Sequence, residues 1–448
     1  DDDFAPTAQN PPPKRSFLRR FRGFATAGLI ILGGIAAVLL LGRWQVGRVG
    51  QQKLDVAVRQ LDAAEPGWRL DAILEERKKN APPPEADAAP EVLAVAAQLP
   101  QKEWNEWQVE LFKDDNWTQF HPANVRPAKQ GVAHAGQMAE PTRALRDRAI
   151  RLRDRKSGQY PLALGDDPIA TALPHLDSAR RVASLLQYDA AWETLGGNPN
   201  RGVAAARAAL AVARSIGDEP LLTSQLVRLA CASAAARAAL QTLAWGESTE
   251  GLAELQAELL AEADTPWFQL GMRGERAMLD KVFRGLEDGT IPPEAFFRYQ
   301  GINEPGPQHF AAFRAYQAFL PGDRAKCLEI CTAYLEASKL PHEQQIAAIK
   351  AIEVPRPPSD FRFILTRLLT PACETVARAG LRTRAEMLTA ATGVACERFR
   401  RKNGRFPHDL KELVPEFLPA LPKSPFDGTD LRYQVFPDRI AVSFLWLD

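Results

Sequence analysis

The stretch NRGVAAARAALAVARSIGDEPLLTSQLVRLACASAAARAALQTLAWG (200–246) decides the fold class of this chain of 448 residues. Alanine, leucine and arginine dominate it, and these residues are among the strongest helix formers. Gly217 suits the end of a first helix, and Asp218 is the expected cap of the next one, with Pro220 in its first turn. Gly246 ends the second helix. The stretch therefore predicts two long helices joined by a tight turn.

A similar connection is expected just upstream, where GGNPN (196–200) separates a helical pattern over 178–195 from the first of these helices. The heptapeptide AAARAAL occurs twice, at 204–210 and 234–240. Faces of small residues let helices approach closely, so the segment is similar to stacked helical hairpins of the tetratricopeptide kind, although the full tetratricopeptide consensus is absent. The fold class predicted for the chain is mainly α.

Helical patterns continue downstream to Asn403-Gly404, with a break or kink expected near Pro371. The last segment has a different character. DLKELV (409–414) predicts a short helix, and the alternating runs at 431–435 and 440–444 predict a β-hairpin. Residues 404–448 are therefore expected to form a small α+β module.

The run FATAGLIILGGIAAVLLLG (24–42) predicts a transmembrane helix near the N-terminus. Its nineteen uncharged residues would span about 28 Å, against a hydrocarbon layer of about 30 Å. The sequence Gly42-Arg43-Trp44 offers no small-x-small cleavage site, so we expect an uncleaved signal anchor rather than a removed signal peptide. Phospholipid is therefore one expected partner.

Basic residues on the two sides of this run predict its orientation. Five precede it closely and three follow it, and basic residues are retained on the cytoplasmic side. We therefore expect a cytoplasmic tail over 1–23, an extracytoplasmic location for most of the chain, and a bacterial inner membrane. The residues are Lys14, Arg15, Arg19, Arg20 and Arg22 before the run, and Arg43, Arg48 and Lys53 after it.

Residues 43–141 are expected to connect the anchor to a helical domain over 142–403. They begin as a helical stalk broken at Pro66-Gly67, and APPPEADAAP (81–90) predicts an extended linker. A segment rich in aromatic residues follows, which we expect to pack the stalk on the main domain rather than to line a binding surface. Its aromatic residues are Trp104, Trp107, Trp117 and Phe120.

Composition excludes several classes of function. Charge is balanced, with 56 Lys and Arg against 55 Asp and Glu, so no nucleic-acid partner is expected. Five cysteines exclude a dense disulfide framework, and Cys327 with Cys331 supplies only two thiols of a metal site. The sequence holds no zinc-helix, nucleophile-elbow or phosphate-loop motif. We therefore predict no catalytic, cofactor-binding or metal residues and no cofactor.

One charged cluster is a candidate surface. Arg273, Glu275 and Arg276 lie within one helical turn, and Asp280 follows Arg276 by four residues. The arginines have the fork geometry that binds anions. The interpretation we favour is that these charges form ion pairs between helices.

Residues 396–435 (CERFRRKNGRFPHDLKELVPEFLPALPKSPFDGTDLRYQV) resemble the C-terminal module of the major pseudopilins of type II secretion. In that family the final turn takes part in calcium binding, which makes Asp427, Asp430 and Asp438 the candidate ligands here. Ser424 stands where the family usually has Asp. Gly23-Phe24 before an apolar helix resembles a prepilin processing site, with Gly28 in place of the family's glutamate.

A second resemblance covers most of residues 50–435. EPGWRL (65–70), DEP (218–220), QLVRLAC (225–231) and RGER (273–276) occur in that order. They are similar to a group of uncharacterised single-span membrane proteins of planctomycete bacteria. The resemblance implies a helical extracytoplasmic domain, and it implies no activity.

The function predicted from these observations is that of a membrane-anchored, extracytoplasmic helical scaffold with an envelope protein as its partner. A component of a type II secretion or pilus-like machine is the alternative. An enzyme whose site assembles from distant residues around Arg273–Asp280 is the third interpretation, and the absence of motifs argues against it.

Overall fold

The computed structural model describes residues 15–111, 123–355, 361–436 and 439–444. The described chain is 70% helical and has one small sheet. Its α-helices are α1 (Arg15–Ala64), α2 (Leu70–Lys79), α3 (Ala89–Gln98), α4 (Gln101–Leu111), α5 (Lys129–Gly136), α6 (Arg143–Ala149), α7 (Pro174–Leu195), α8 (Pro199–Ser215), α9 (Leu222–Trp245), α10 (Leu252–Ala263), α11 (Trp267–Asp288), α12 (Pro293–Tyr299), α13 (Pro307–Tyr316), α14 (Leu320–Ser338), α15 (His342–Lys350), α16 (Ile364–Leu369) and α17 (Cys373–Asn403). The strands are β1 (Arg432–Val435) and β2 (Ile440–Ser443).

The helix α1 is long and continuous, and its two halves have different surroundings. Among the described residues it is the one helix long and apolar enough to cross a membrane. Side chains from Ile30 to Val46 are exposed, whereas Gly50, Leu54 and Leu61 are buried against the rest of the chain. A large apolar surface without a protein cover is the expected state of a membrane span. The predicted run 24–42 lies within this helix.

The main core is built around α7, α8 and α9, which all contact one another. All the alanines of α8 except Ala204 are almost completely buried, as are those of α9 that face the core. At Gly202 the three helices come so close that a Cβ atom would lie 2.4 Å from the Thr194 hydroxyl and 2.6 Å from that of Thr242. The alanine-rich stretch thus forms the tightly packed helices that its composition predicts. The tetratricopeptide-like arrangement of the hairpins stays a prediction.

A second core lies between α11 and α14. α1 packs along α14, and Trp68, just beyond α1, is fully buried with Leu54, Leu61, Ala325 and Leu328. The segment predicted to be a polar stalk therefore has an apolar stripe at helical spacing. This stripe holds the segment to the domain.

Packing also crosses the predicted boundary at residue 142. Residues of α3 lie in the main core with α7 and α8, and Trp104 is fully buried in α4. Trp104 and Trp107 pack against Tyr188, with ring centroids 6.1 and 5.1 Å from its ring. The expectation that the aromatic segment packs on the main domain agrees with these contacts, while Trp117 and Phe120 lie outside the described residues.

The last described segment consists of a short 3-10 helix and a β-hairpin packed on the end of α17. Gly404 ends α17 with a φ of 72°, and Asp409 caps a short 3-10 helix, Leu410–Leu413. β1 and β2 pair antiparallel, with Arg432 opposite Ser443. The predicted hairpin pairing is therefore present and the predicted short helix has 3-10 geometry, while the connecting residues 437–438 lie outside the described part.

Candidate functional site at the convergence of three motifs

Three motifs that are far apart in the sequence meet on the N-terminal half of α11. They are EPGWRL (65–70), DEP (218–220) and RGER (273–276), which belong to the stretches that carry the second resemblance. We call this meeting point the helix junction. It joins the end of α1 and the start of α2 to α11 and to the loop before α9.

Glu65 directly follows α1, and both arginines of the third motif hold its carboxylate. Arg273 Nε lies 2.5 Å from Glu65 Oε1, and Arg276 Nη2 donates to Glu65 Oε2. Arg273 also pairs with Glu76 of α2 at 3.0 Å. Burial acts to raise the pKa of Glu65, but the hydrogen bonds from Arg276 and Arg273 outweigh it, so the pKa lies below its ordinary value.

Trp68 completes this part of the helix junction. Its Nε1 donates to Asp62 Oδ1 at 2.9 Å, and the guanidinium of Arg276 lies 5.8 Å from its ring centroid. Arg69 stacks on the same side chain at 4.9 Å. Cation–π contacts are stronger when they are shielded from water, and both Trp68 and Arg276 are almost fully buried. The end of α1 is therefore fixed to α11 by charge, stacking and apolar burial together.

Arg77 of α2 joins the same region to the loop before α9. Its Nε lies 3.1 Å from Asp218 Oδ1, and its Nη2 lies 3.9 Å from Glu219 Oε2. The prediction that Asp218 caps α9 is therefore wrong. The residue before α9 is Leu221, which has no capping side chain, and the Asp218 carboxylate turns to Arg77 instead because this guanidinium is nearby and nearly buried.

Glu219 is fully buried. Its carboxyl group accepts a hydrogen bond from Ser224 Oγ at 2.5 Å and lies 3.0 Å from His175 Nε2. These residue types are those of a nucleophile, a base and an orienting acid, but their order differs. A serine nucleophile needs the histidine as its base. Here serine and histidine both contact the Glu219 carboxyl group, so the arrangement satisfies a buried polar group and does not pair the serine with a base. No local sequence signal marks His175, because its partner Glu219 lies 44 residues away.

The other two members of the predicted surface cluster point elsewhere. Asp280 is buried and pairs with Arg324 of α14 at 2.7 Å and with Arg284 at 3.2 Å. Arg324 also binds Glu287, at 2.8 Å. The two pairs of Arg324 join α11 to α14. Arg273, Arg276 and Asp280 are thus each ion-paired with residues outside the predicted cluster.

Glu275 lies away from these pairs, near the start of α9. The backbone N–H of Leu222 donates to its carboxylate, so Glu275 caps α9 from a neighbouring helix. Burial raises the pKa of Glu275 to about 7, and the Leu222 hydrogen bond offsets only part of this shift. No ion pair joins Glu275 to another described residue. It is the one member of the predicted cluster with a strongly raised pKa.

A polar cleft of about 180 Å³ lies between α10, α14 and α17. Arg384, which lines it, donates to the carbonyl of Ala263 and pairs with Asp264 at 2.9 Å. His342 also lines it, and burial followed by the charge of Arg384 lowers its pKa. The cleft contains no nucleophile paired with a base among the described residues, so we assign it no chemistry.

The calcium candidates lie in the C-terminal module. Asp427 accepts hydrogen bonds from the amide and the hydroxyl of Thr429, at 3.1 and 2.8 Å, and Asp430 is exposed. Asp438 lies outside the described residues. The described parts of the chain contain no group of three or more His, Cys, Asp or Glu side chains placed to hold a metal. Cys327 and Cys331 are buried and free.

No protein-family model, no curated protein and no solved structure matches this chain. The helix junction is therefore interpreted from its own geometry. Glu65, Arg273 and Arg276 are paired with one another or with neighbouring helices, and Trp68 and Gly274 are closely packed. What this arrangement does physically is to hold the end of a membrane-length helix rigidly on the domain.

Proposed function

We propose that this protein is a membrane-anchored, extracytoplasmic helical scaffold of a bacterial inner membrane. The observation that carries this proposal is that one continuous helix, α1, supplies both the exposed apolar span and a surface packed on α14. Because α1 has no break, the domain cannot rotate freely relative to the anchor. The ion pairs of Glu65 add a second attachment at its end. Such an anchor supports a domain held in a set orientation for a partner protein.

The orientation is tested with single cysteines. Lys411→Cys lies at an exposed position of the C-terminal module, and Ser16→Cys lies before the apolar run. With the N-terminus inside, a membrane-impermeant maleimide labels Lys411→Cys in cells whose outer membrane has been opened. Ser16→Cys is then labelled only in inverted inner-membrane vesicles. The opposite pattern would reverse the proposed topology.

The scaffold role is tested by cross-linking the full-length protein in its native membrane, followed by mass spectrometry. Reproducible cross-links from the helical domain to one envelope protein would support it. The matched control is Leu39→Arg together with Leu40→Arg, which costs about 3 kcal/mol of insertion free energy per arginine. Loss of the same cross-links on release from the membrane is expected. A protein that forms no reproducible cross-links contradicts the scaffold role.

A component of a secretion or pilus-like machine is the second candidate. The arrangement of helix end, capped 3-10 helix and hairpin over 396–443 supports it, through the resemblance to pseudopilins. Cross-links from this module to secretion proteins, with the mature N-terminus at Phe24, would favour it. An intact N-terminal segment would count against filament assembly.

A further inference from the structure

The structure places one edge of the helical domain beside the point where the apolar run ends. Arg43 directly follows Gly42, and its Nη1 donates to the carbonyls of Arg314 and Ala315 at the end of α13. Five residues beyond Gly42, Gly47 faces the carbonyl of Ala318, since a Cβ there would lie 3.7 Å from it. At 1.5 Å per residue these contacts fall within about 8 Å of the end of the run. This distance is similar to the depth of the polar headgroup layer.

Exposed aromatic side chains lie at the same edge. Phe361 is 62% exposed, and its ring packs edge-to-face on Phe319 at 5.2 Å. Phe319 belongs to the 3-10 turn Gln317–Phe319, which contacts α1. Trp44 is 58% exposed on α1 itself. Trp is enriched at the boundary between bilayer and water, and exposed Phe side chains supply apolar surface that enters this boundary.

An open cleft of about 740 Å³ lies beside the contact between Arg43 and α13. Arg43 and Arg314 line it, together with Pro293, Phe310, Phe313, Ala315 and Gln317, and no described carboxylate does so. Both arginines are exposed, and no described residue forms an ion pair with either. The bonds from Arg43 to α13 use Nη1, so Nη2 and Nε remain for an anion. A phosphate bound here would complement this charge.

We propose that this edge, formed by α13 and the turns 317–319 and 361–363, lies in the headgroup layer of the bilayer. Phe361 inserts beside Trp44, and Arg43 and Arg314 bind the phosphates of anionic phospholipid. The proposal rests on the proposed function in one respect, namely that α1 spans the membrane. It does not depend on which side of the membrane the domain occupies. As a consequence, two features fix the tilt of the domain, namely the bound lipid and the helix junction.

The first test measures depth on the full-length protein in vesicles of phosphatidylcholine with phosphatidylglycerol. Single cysteines at Phe361→Cys, Lys411→Cys and Ile35→Cys carry an environment-sensitive fluorophore, and lipids carry a nitroxide on the headgroup or in mid-chain. We expect headgroup nitroxide to quench the label at 361 strongly and the label at 411 little. Mid-chain nitroxide is expected to quench the label at 35.

The outcomes distinguish a failure of the membrane-facing edge from a failure of the membrane span. Equal quenching at 361 and 411, with the label at 35 quenched, overturns the membrane-facing edge and leaves the span in place. A label at 35 that mid-chain nitroxide does not quench overturns the span, and the inference falls with it.

The second test measures the preference for charged lipid. Native mass spectrometry of the gently extracted protein gives the ratio of retained phosphatidylglycerol to phosphatidylcholine. Arg314→Gln keeps the backbone carbonyl that Arg43 binds, so it removes the charge alone. It should lower the ratio about fivefold, as expected for one arginine at an anionic surface. Arg432→Gln, at an exposed position of the C-terminal module, is the matched control. Equal ratios for the two variants would overturn the headgroup contact.

Discussion

Gly274 and Pro220 are in direct backbone contact: a Cβ atom on Gly274 would lie 1.7 Å from the carbonyl oxygen of Pro220. The middle of α11 can therefore cross the loop before α9 only where it has no side chain. This crossing brings Arg273 and Arg276 to one side of the loop, where they bind Glu65, and Glu275 to the other, where it caps α9. The geometry of the helix junction thus depends on one missing methyl group.

Gly274→Ala should lower the free energy of unfolding by about 3 kcal/mol, since the backbone of the loop must move to admit the methyl group. Urea unfolding of the full-length protein in detergent, followed by circular dichroism, measures this change. Gly393→Ala in α17 is the matched control. Its Cβ meets only Leu243 and Leu240, at 3.8 and 3.9 Å, so it should be neutral or stabilising by about 1 kcal/mol. Equal losses in the two variants would contradict the contact.

Glu65→Gln should destabilise the protein by about 2–3 kcal/mol, because it leaves the buried guanidinium of Arg276 without its counter-charge. The comparison is Asp71→Asn, which removes a 3.7 Å pair with Lys281 from a carboxylate that is 78% exposed. Exposed pairs contribute little, so this variant should change stability by less than about 0.5 kcal/mol. Unfolding midpoints of both variants give the answer, and a negligible effect of Glu65→Gln would show that the junction does not depend on charge.

Glu275 should make stability fall as pH rises. Its pKa is about 7 in the folded protein against an ordinary 4.5, so between these values the folded state retains a proton that the unfolded state has released. Stability is therefore full below about pH 4.5 and decreases up to about pH 7. Glu275→Gln should be more stable than the parent at pH 8, by as much as about 3 kcal/mol, and similar to it at pH 4.

Unfolding measured across this pH range tests the expectation. Asp323, whose pKa burial raises to about 6, contributes to the same slope, so Glu275→Gln should reduce the slope without abolishing it. Glu329→Gln, at a side chain that is 67% exposed, should retain the parental slope. An unchanged slope in Glu275→Gln would mean that its carboxylate ionises normally.

All five cysteines should be unreactive in the folded protein. Each is buried, and burial raises the pKa of Cys231 and of Cys396 to about 12. The thiolate is the reactive form, so maleimide labelling at neutral pH should be negligible until denaturant is added, when five thiols per chain become labelled. Rapid labelling of the native protein would show that at least one of these sites opens to solvent. The same protection makes introduced surface cysteines selective labelling sites.

Much of the local structure could be predicted from residue pattern. The breaks at 196–200, Gly246 and Gly404 coincide with helix ends, and the alternating runs near the C-terminus form the hairpin. These features depend on propensity and on neighbours within a few residues. The role of Asp218 was predicted wrongly because the prediction used only its neighbours in the sequence. Local pattern favours a cap, but a guanidinium from α2 binds the carboxylate instead.

The charged cluster Arg273–Asp280 could be located from the sequence, but the residues that pair with it could not. Residues 273 and 276 share a helix face by spacing alone, and ion pairing was the favoured interpretation of this cluster. The carboxylate that binds Arg276 lies 211 residues earlier, at the end of a helix that the sequence assigned to a stalk. No local signal connects positions so far apart.

By itself, the sequence determined that this chain is mainly helical, that one N-terminal helix is apolar and long enough to cross a membrane, and that residues 431–444 form a small hairpin, because each of these depends on composition and short-range periodicity. Only the tertiary structure decided that α1 continues from the apolar run onto α14, that Glu65 meets Arg273 and Arg276, and that Gly274 passes Pro220. These contacts join surfaces whose complementarity appears only when distant helices pack together.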